Sequence, residues 1–191
     1  MEKYITVYAE QTPNPESLKF VVNHFISRGG SFDFPDAESS EKSPLAKALF
    51  DEGYVKGIFI SQDFVTVTKF EDRTWAELLP KIRVFLKEFI QNDGVVIPDS
   101  LMEETPSFAE SEGDNDVVRK VKEILATNIK PAVEMDGGAI DFVDFQNGVV
   151  TLALKGSCSG CPSSTVTLKA GIENLLKRMV PEVTEVVAEA V

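Results

Sequence analysis

Cysteine is nearly missing from this chain: its 191 residues include two, Cys158 and Cys161. Two thiols do not make a disulfide scaffold, so the fold has to rest on an apolar core. Histidine occurs once, as His24, far along the chain from both cysteines. No general base or nucleophile-activating histidine is therefore apparent, which argues against turnover catalysis. Basic residues are scarce as well. With 19 Lys and Arg against 31 Asp and Glu, the formal net charge is −12. Such a surface repels phosphate and argues against a nucleic-acid partner. No apolar run is long enough to span a bilayer, so no membrane association is expected. The beginning of the chain, Met1-Glu2-Lys3-Tyr4-Ile5, enters a strand pattern at once and resembles neither a signal peptide nor an Arg-rich transit peptide. A reducing bacterial cytoplasm is the expected location, or a mitochondrion if a presequence has been removed.

What is present is enough for two small domains. Hydrophobic residues make up 43% of the chain, and the length suits one large or two small cores. Lys3 to Ala9 alternates like a strand, Gln11-Thr12-Pro13-Asn14-Pro15 is a stiff turn, and Leu18 to Val22 is a second strand. Ser43-Pro44 reads as a helix cap followed by a first-turn proline. Val55 to Ile60 and Phe64 to Lys69 read as two further strands. Thr74-x-x-Glu77 has the spacing of a capping box. It opens a helix with Trp75, Leu78, Leu79, Ile82, Phe85 and Phe89 as its buried stripe, ended by Asn92-Asp93-Gly94. These elements define an α+β domain over residues 1–97. Residues 98–113 form an acidic linker, with Asp99, Glu103, Glu104 and Glu110 and no basic residue. A second α+β domain spans 114–191. In it, Asp114 or Asn115 caps a helix that Pro131 should end. Two strands follow around Asn147-Gly148, a strong hairpin signal, and Glu182 to Ala188 closes the chain as an edge strand or tail.

Both thiols lie in the stretch Lys155-Gly156-Ser157-Cys158-Ser159-Gly160-Cys161-Pro162-Ser163-Ser164. Before it, Val149 to Leu154 reads as a buried strand. After it, Thr165 to Met179 reads as an amphipathic helix with Leu168, Ile172, Leu175, Leu176 and Met179 on its apolar side. A C-x-x-C pair in a strand–loop–helix turn sits near unpaired amides and the positive end of a helix dipole, which favour thiolate. Gly160 gives the loop room to curl, and Pro162 suits the first helical position. Ser163, Ser164 and Thr165 either cap that helix or tune the sulfurs.

Three chemistries fit such a pair. An iron–sulfur cluster usually takes four protein ligands, mostly Cys. One chain offers two, so a cluster would require two chains. A tetrahedral zinc ion could be shared in the same way. A redox dithiol could use the pair within one chain, although Pro162 follows the second cysteine and does not lie between the two.

A family resemblance bears on the choice. Met135-Asp136-Gly137-Gly138 and Gly156-Ser157-Cys158-Ser159-Gly160-Cys161-Pro162-Ser163-Ser164-Thr165-Val166-Thr167-Leu168 resemble the C-terminal domain of NifU, the Nfu iron–sulfur scaffold domain. Gln11-Thr12-Pro13-Asn14-Pro15, Leu18-Lys19-Phe20 and Ser43-Pro44-Leu45-Ala46 resemble the Nfu N-terminal domain. The resemblance implies a carrier without enzymatic turnover. A [4Fe–4S] cluster would be bridged between two subunits of a homodimer by Cys158 and Cys161 of each. Upstream assembly machinery would supply it, and apo iron–sulfur proteins would receive it. Ala139 stands where the family often has an acidic residue, so no supporting carboxylate is expected there.

Overall fold

The computed structural model describes residues 4–27, 30–101, 108, 113–158 and 162–190, the side chains of 162–164 and 190 excepted. It has two compact units, Met1–Glu104 and Thr105–Val191, each with helices and a sheet.

In the first unit, proline and asparagine set the opening turn. Asn14 Oδ1 accepts from the Glu16 N–H at 3.0 Å, and the Thr12 hydroxyl donates to the carbonyls of Asn14 and Ser17 at 2.9 and 3.1 Å. This side-chain turn joins β1 (Val7–Gln11) to β2 (Ser17–Val22) as an antiparallel pair. The expected start of the first strand, Lys3, lies outside the described residues, and Tyr4 to Thr6 are not yet strand. Ahead of Val7 the Asn23 side chain takes over from the ladder, accepting from Thr6 N–H and donating to Tyr4 O, each at 2.9 Å. Next come β3 (Phe32–Phe34), α1 (Ala37–Ser40) and α2 (Pro44–Asp51). Neither β3 nor α1 is expected from the sequence pattern, both being under five residues and without a clear period. Ser43 does cap α2, its hydroxyl accepting from Ala46 N–H at 3.1 Å. Strands β4 (Val55–Ile60) and β5 (Phe64–Lys69) complete a sheet of order β1-β2-β5-β4-β3.

Helix α3 (Trp75–Gln91) packs its Leu78, Ile82, Leu86 and Ile90 into the core. The expected stripe is displaced by part of a turn. Trp75, Leu79, Phe85 and Phe89 are only partly buried at its margin. Thr74 makes no side-chain cap, so the capping box is absent; Glu77 instead pairs with Lys81 at 3.0 Å. Trp75 is fastened from outside, its Nε1 donating to Pro15 O at 2.9 Å.

The second unit opens with α4 (Asp116–Ile124), capped by Asn115, whose Oδ1 accepts from Val118 N–H at 2.9 Å. Pro131 does not end the helical path. A π turn at Leu125–Ile129 widens the backbone, and α5 (Lys130–Met135) starts with Pro131 in its first turn. There a missing N–H costs nothing, and the widened turn spares the clash a proline ring makes with a regular helix. Strands β6 (Gly138–Gln146) and β7 (Val149–Gly156) meet at Asn147 and Gly148, with φ of 52° and 84°. Both positive values are what a type I′ turn requires. Helix α6 (Pro162–Met179) then crosses over to β8 (Glu185–Ala190), which runs parallel to β7 and leaves β7 central in the order β6-β7-β8. Ile172 and Leu176 of α6 are fully buried, each contributing roughly 1.5–3 kcal/mol by leaving water. Met179, expected on that face, is 40% exposed.

Candidate functional site

The candidate site is built at the end of β7. Gly156, with φ of 68°, turns the chain out of the strand. The next residue, Ser157, is tied to the segment before β6: its N–H donates to Gly137 O at 3.3 Å and its hydroxyl to Asp136 O. Two segments distant in sequence are thus clasped together, and Cys158 sits at the clasp. Its side chain belongs to the apolar cluster of the second unit, with 6% of the residue exposed. The Ser157 hydroxyl oxygen lies 3.8 Å from Cys158 Sγ. On the other side, the Thr165 hydroxyl of α6 donates to Cys158 O at 2.9 Å. Through this bond Thr165 ties the helix to the cysteine backbone. The side chains of Ser163 and Ser164 lie outside the described residues. So do Ser159, Gly160 and Cys161, the second thiol of the pair.

The two glycines before β6 divide the labour. Gly137 takes the positive φ of the turn, at 79°. Gly138 pairs with Gly156 in the ladder and is needed for a different reason: a Cβ there would lie 2.9 Å from Cys158 Sγ and 2.6 Å from Lys155 O. Asp136-Gly137-Gly138 is therefore more than a flexible turn, since it lets Cys158 approach the first residue of β6. The signal available was that a glycine opening an alternating strand marks a close approach of another chain segment. Ala139 is buried. Within the hairpin, Asp141 meets Lys155 at 2.6 Å across the ladder.

The expectation of a ready thiolate needs correction for Cys158. Burial pushes its thiol up from the ordinary value; the Ser157 hydroxyl works against this, and the Asp136 carboxylate adds to it. The sulfur packs inward beneath Gly138 among apolar side chains, and desolvation outweighs the hydroxyl beside it. Among the described residues no group of three or more His, Cys, Asp and Glu side chains is placed to hold a metal ion. His24 is exposed just past β2 in the first unit. No described helix is long and apolar enough to cross a membrane.

Comparison with known proteins bears on both units. A model of the NifU-like domain matches residues 121–187, and a model described as scaffold protein Nfu/NifU N terminal matches residues 7–93. "NifU-like protein 5, mitochondrial" of Arabidopsis thaliana is 43% identical over 185 residues, covering 96% of this chain and 67% of that protein. "NFU1 iron-sulfur cluster scaffold homolog, mitochondrial" of Drosophila sechellia is 40% identical over 181 residues, covering 94% of this chain and 63% of that protein. The chain thus spans somewhat less than two thirds of the Drosophila relative's length. A solution structure of a NifU-like protein from Saccharomyces cerevisiae covers 50% of this chain and 86% of its own, with 26% identity and a TM-score of 0.45. These curated relatives carry mitochondrial names, and the expected bacterial cytoplasm finds no support among them. With one family model on each unit and a relative matched along nearly the whole chain, the protein belongs to the Nfu/NifU-like family, an Nfu N-terminal domain followed by a NifU-like domain.

Proposed function

We propose that this protein is an iron–sulfur cluster scaffold and carrier. It binds a [4Fe–4S] cluster across a homodimer through Cys158 and Cys161 of each chain and passes it to apo-proteins. The observation that carries this reading is the fastening of Cys158. Its backbone and side chain are held by Ser157, Thr165 and Gly138 at the mouth of a strand–helix turn, in a chain that owns two thiols. Four thiolates complete a cluster, so two copies supply a full set and one supplies half. A site split between chains opens when the chains part, and an acceptor's cysteines replace the donors stepwise. The names of the relatives support the scaffold role.

In this reading residues 114–191 bind the cluster. Residues 1–97 form a partner-recognition module, and 98–113 are the spacer between them. Upstream machinery loads the cluster, and loading stabilises the dimer by mass action. The mitochondrial names of the relatives favour a mitochondrial location. The rival use of the pair as a dithiol enzyme is disfavoured by the burial of Cys158, because a reactive cysteine is partly exposed in an electropositive setting.

Anaerobic reconstitution with iron and sulfide tests the proposal. A brown dimer with about four irons is the expected product. A colourless zinc-loaded dimer would falsify it. Insulin disulfide reduction above the free-thiol background would favour the enzyme.

A further inference from the structure

The first unit carries a trough at its open sheet edge that the cluster reading does not use. Val7 of β1 pairs with Val22 of β2, yet Val22 gives its N–H to Asp63 O, on the far side, at 2.8 Å. Thr6 is the residue that bonds back toward β2, exchanging bonds with Asn23. Antiparallel parity therefore turns the backbone groups of Ile5 and Val7 outward, away from the sheet. Arg83 of α3 meets this edge, its Nε donating to Val7 O at 3.1 Å. That bond anchors the guanidinium and leaves its two terminal amino groups for another acceptor. Lys87 follows one helical turn on. Between residues 4–7 and α3 lies an open cavity of about 300 Å³, walled by Tyr4, Ile5, Pro80 and Val84. Its two charged lining residues, Arg83 and Lys87, are both cations, in a chain whose net charge is −12.

We propose that this trough docks an acidic, apolar-flanked segment of a partner protein, lying extended along the edge of β1. Carboxylates of that segment meet Arg83 and Lys87, an apolar side chain packs against Tyr4 and Val84, and the outward Val7 N–H adds a main-chain bond of the strand-addition kind. A nucleic acid or anionic membrane is the wrong occupant, because the rest of so acidic a surface repels an extended polyanion. An isolated basic trough on an acidic body selects a short acidic segment by local complementarity, and the contact weakens with salt. This rests on the partner-recognition role proposed for residues 1–97 and is independent of cluster binding, since the test uses the apo chain.

The test uses the full apo chain and two synthetic peptides of about ten residues. One alternates Glu with Leu and Phe; the other replaces each Glu by Gln. Fluorescence anisotropy and amide chemical shifts are recorded. The Glu peptide should bind, shift the resonances of Val7, Arg83 and Lys87, and lose roughly tenfold in affinity between about 0.05 and 0.5 M salt. Arg83→Gln should weaken it, with loss of the Val7 contact as a second effect. Lys87→Glu leaves the Arg83 bond to Val7 in place and should weaken binding roughly tenfold on its own. Equal binding of the Gln peptide, full affinity in Lys87→Glu, or shifts confined to other residues overturns the proposal. Self-association of the apo chain that disappears in Lys87→Glu assigns the trough to a second copy and overturns it too.

Discussion

The two units use the same materials for opposite ends. In the first, five antiparallel strands and α3 close over a core of ordinary aliphatic and aromatic side chains, and polar groups such as Ser43 and Asn14 serve to hold turns. In the second, three strands and the α6 crossover make a smaller core, and one of its members is a thiol. One unit is built to hold its shape. The other is built to hold Cys158 in place, with a glycine, a serine and a threonine as its fastenings. A chain can thus give one unit an ordinary apolar core while the other accepts the cost of burying a polarisable thiol in its own.

The sharpest way to test that contrast is to remove sulfur. Cys158→Ser or Cys161→Ser should reduce reconstituted iron to background while far-UV circular dichroism of the apo chain is unchanged; either variant holding a full complement of iron refutes the ligand assignment. Truncation of the second core should come next in size. Leu176 is fully buried, and Leu176→Ala should cost about 2–5 kcal/mol. Trp75, the sole tryptophan, belongs to the first unit. Its fluorescence transition in urea should therefore stay put while part of the dichroism melts at lower denaturant. If both signals move together, the units do not fold independently.

A subtler cut is Gly138→Ala. The added methyl meets Cys158 Sγ and a backbone oxygen, so about 1–3 kcal/mol of overpacking is expected in the second unit. Cluster retention should fall further than this stability loss explains, measured as the decay of the visible absorbance after reconstitution. Gly148→Ala, strained at a site remote from the cysteines, is the control: it should destabilise the hairpin without that excess. The smallest effect concerns pH. Glu173 is held below its ordinary value of 4.5, first by its hydrogen bond with Lys177 and then by the Val186 N–H. A lowered carboxylate contributes stability above its unfolded value and loses it as pH falls through the folded one. Glu173→Gln should therefore flatten the acid limb of the second unit's stability curve below pH 4.5, with the first unit, read through Trp75, unaffected.

Much of this was legible in residue order because local chemistry decided it. Asn147-Gly148 specified the hairpin through its two positive φ values, and Ser43 and Asn115 specified the starts of α2 and α4 through side-chain caps. The strands Val55–Ile60 and Phe64–Lys69 fell where their apolar runs predict. Errors arose where tertiary contacts override a local rule. Thr74-x-x-Glu77 has capping-box spacing, but Glu77 turns to Lys81. Pro131 should stop a helix, and the π turn before it removes the clash. The α3 stripe drifted because aromatic side chains reach the core margin from a flanking face. At the site, the cysteine pair was plain in the sequence. The roles of Gly138 and Thr165 were not, since each depends on a segment that folding alone brings alongside.

The burial of Cys158 has one more consequence. A sulfur buried within the apolar cluster of the second unit is shielded from soluble oxidants. Its oxidation is then paced by how often the clasp between Ser157 and Asp136 springs open, and not by how often a reagent collides with the surface. The chain thus keeps this thiol sheathed within its own core.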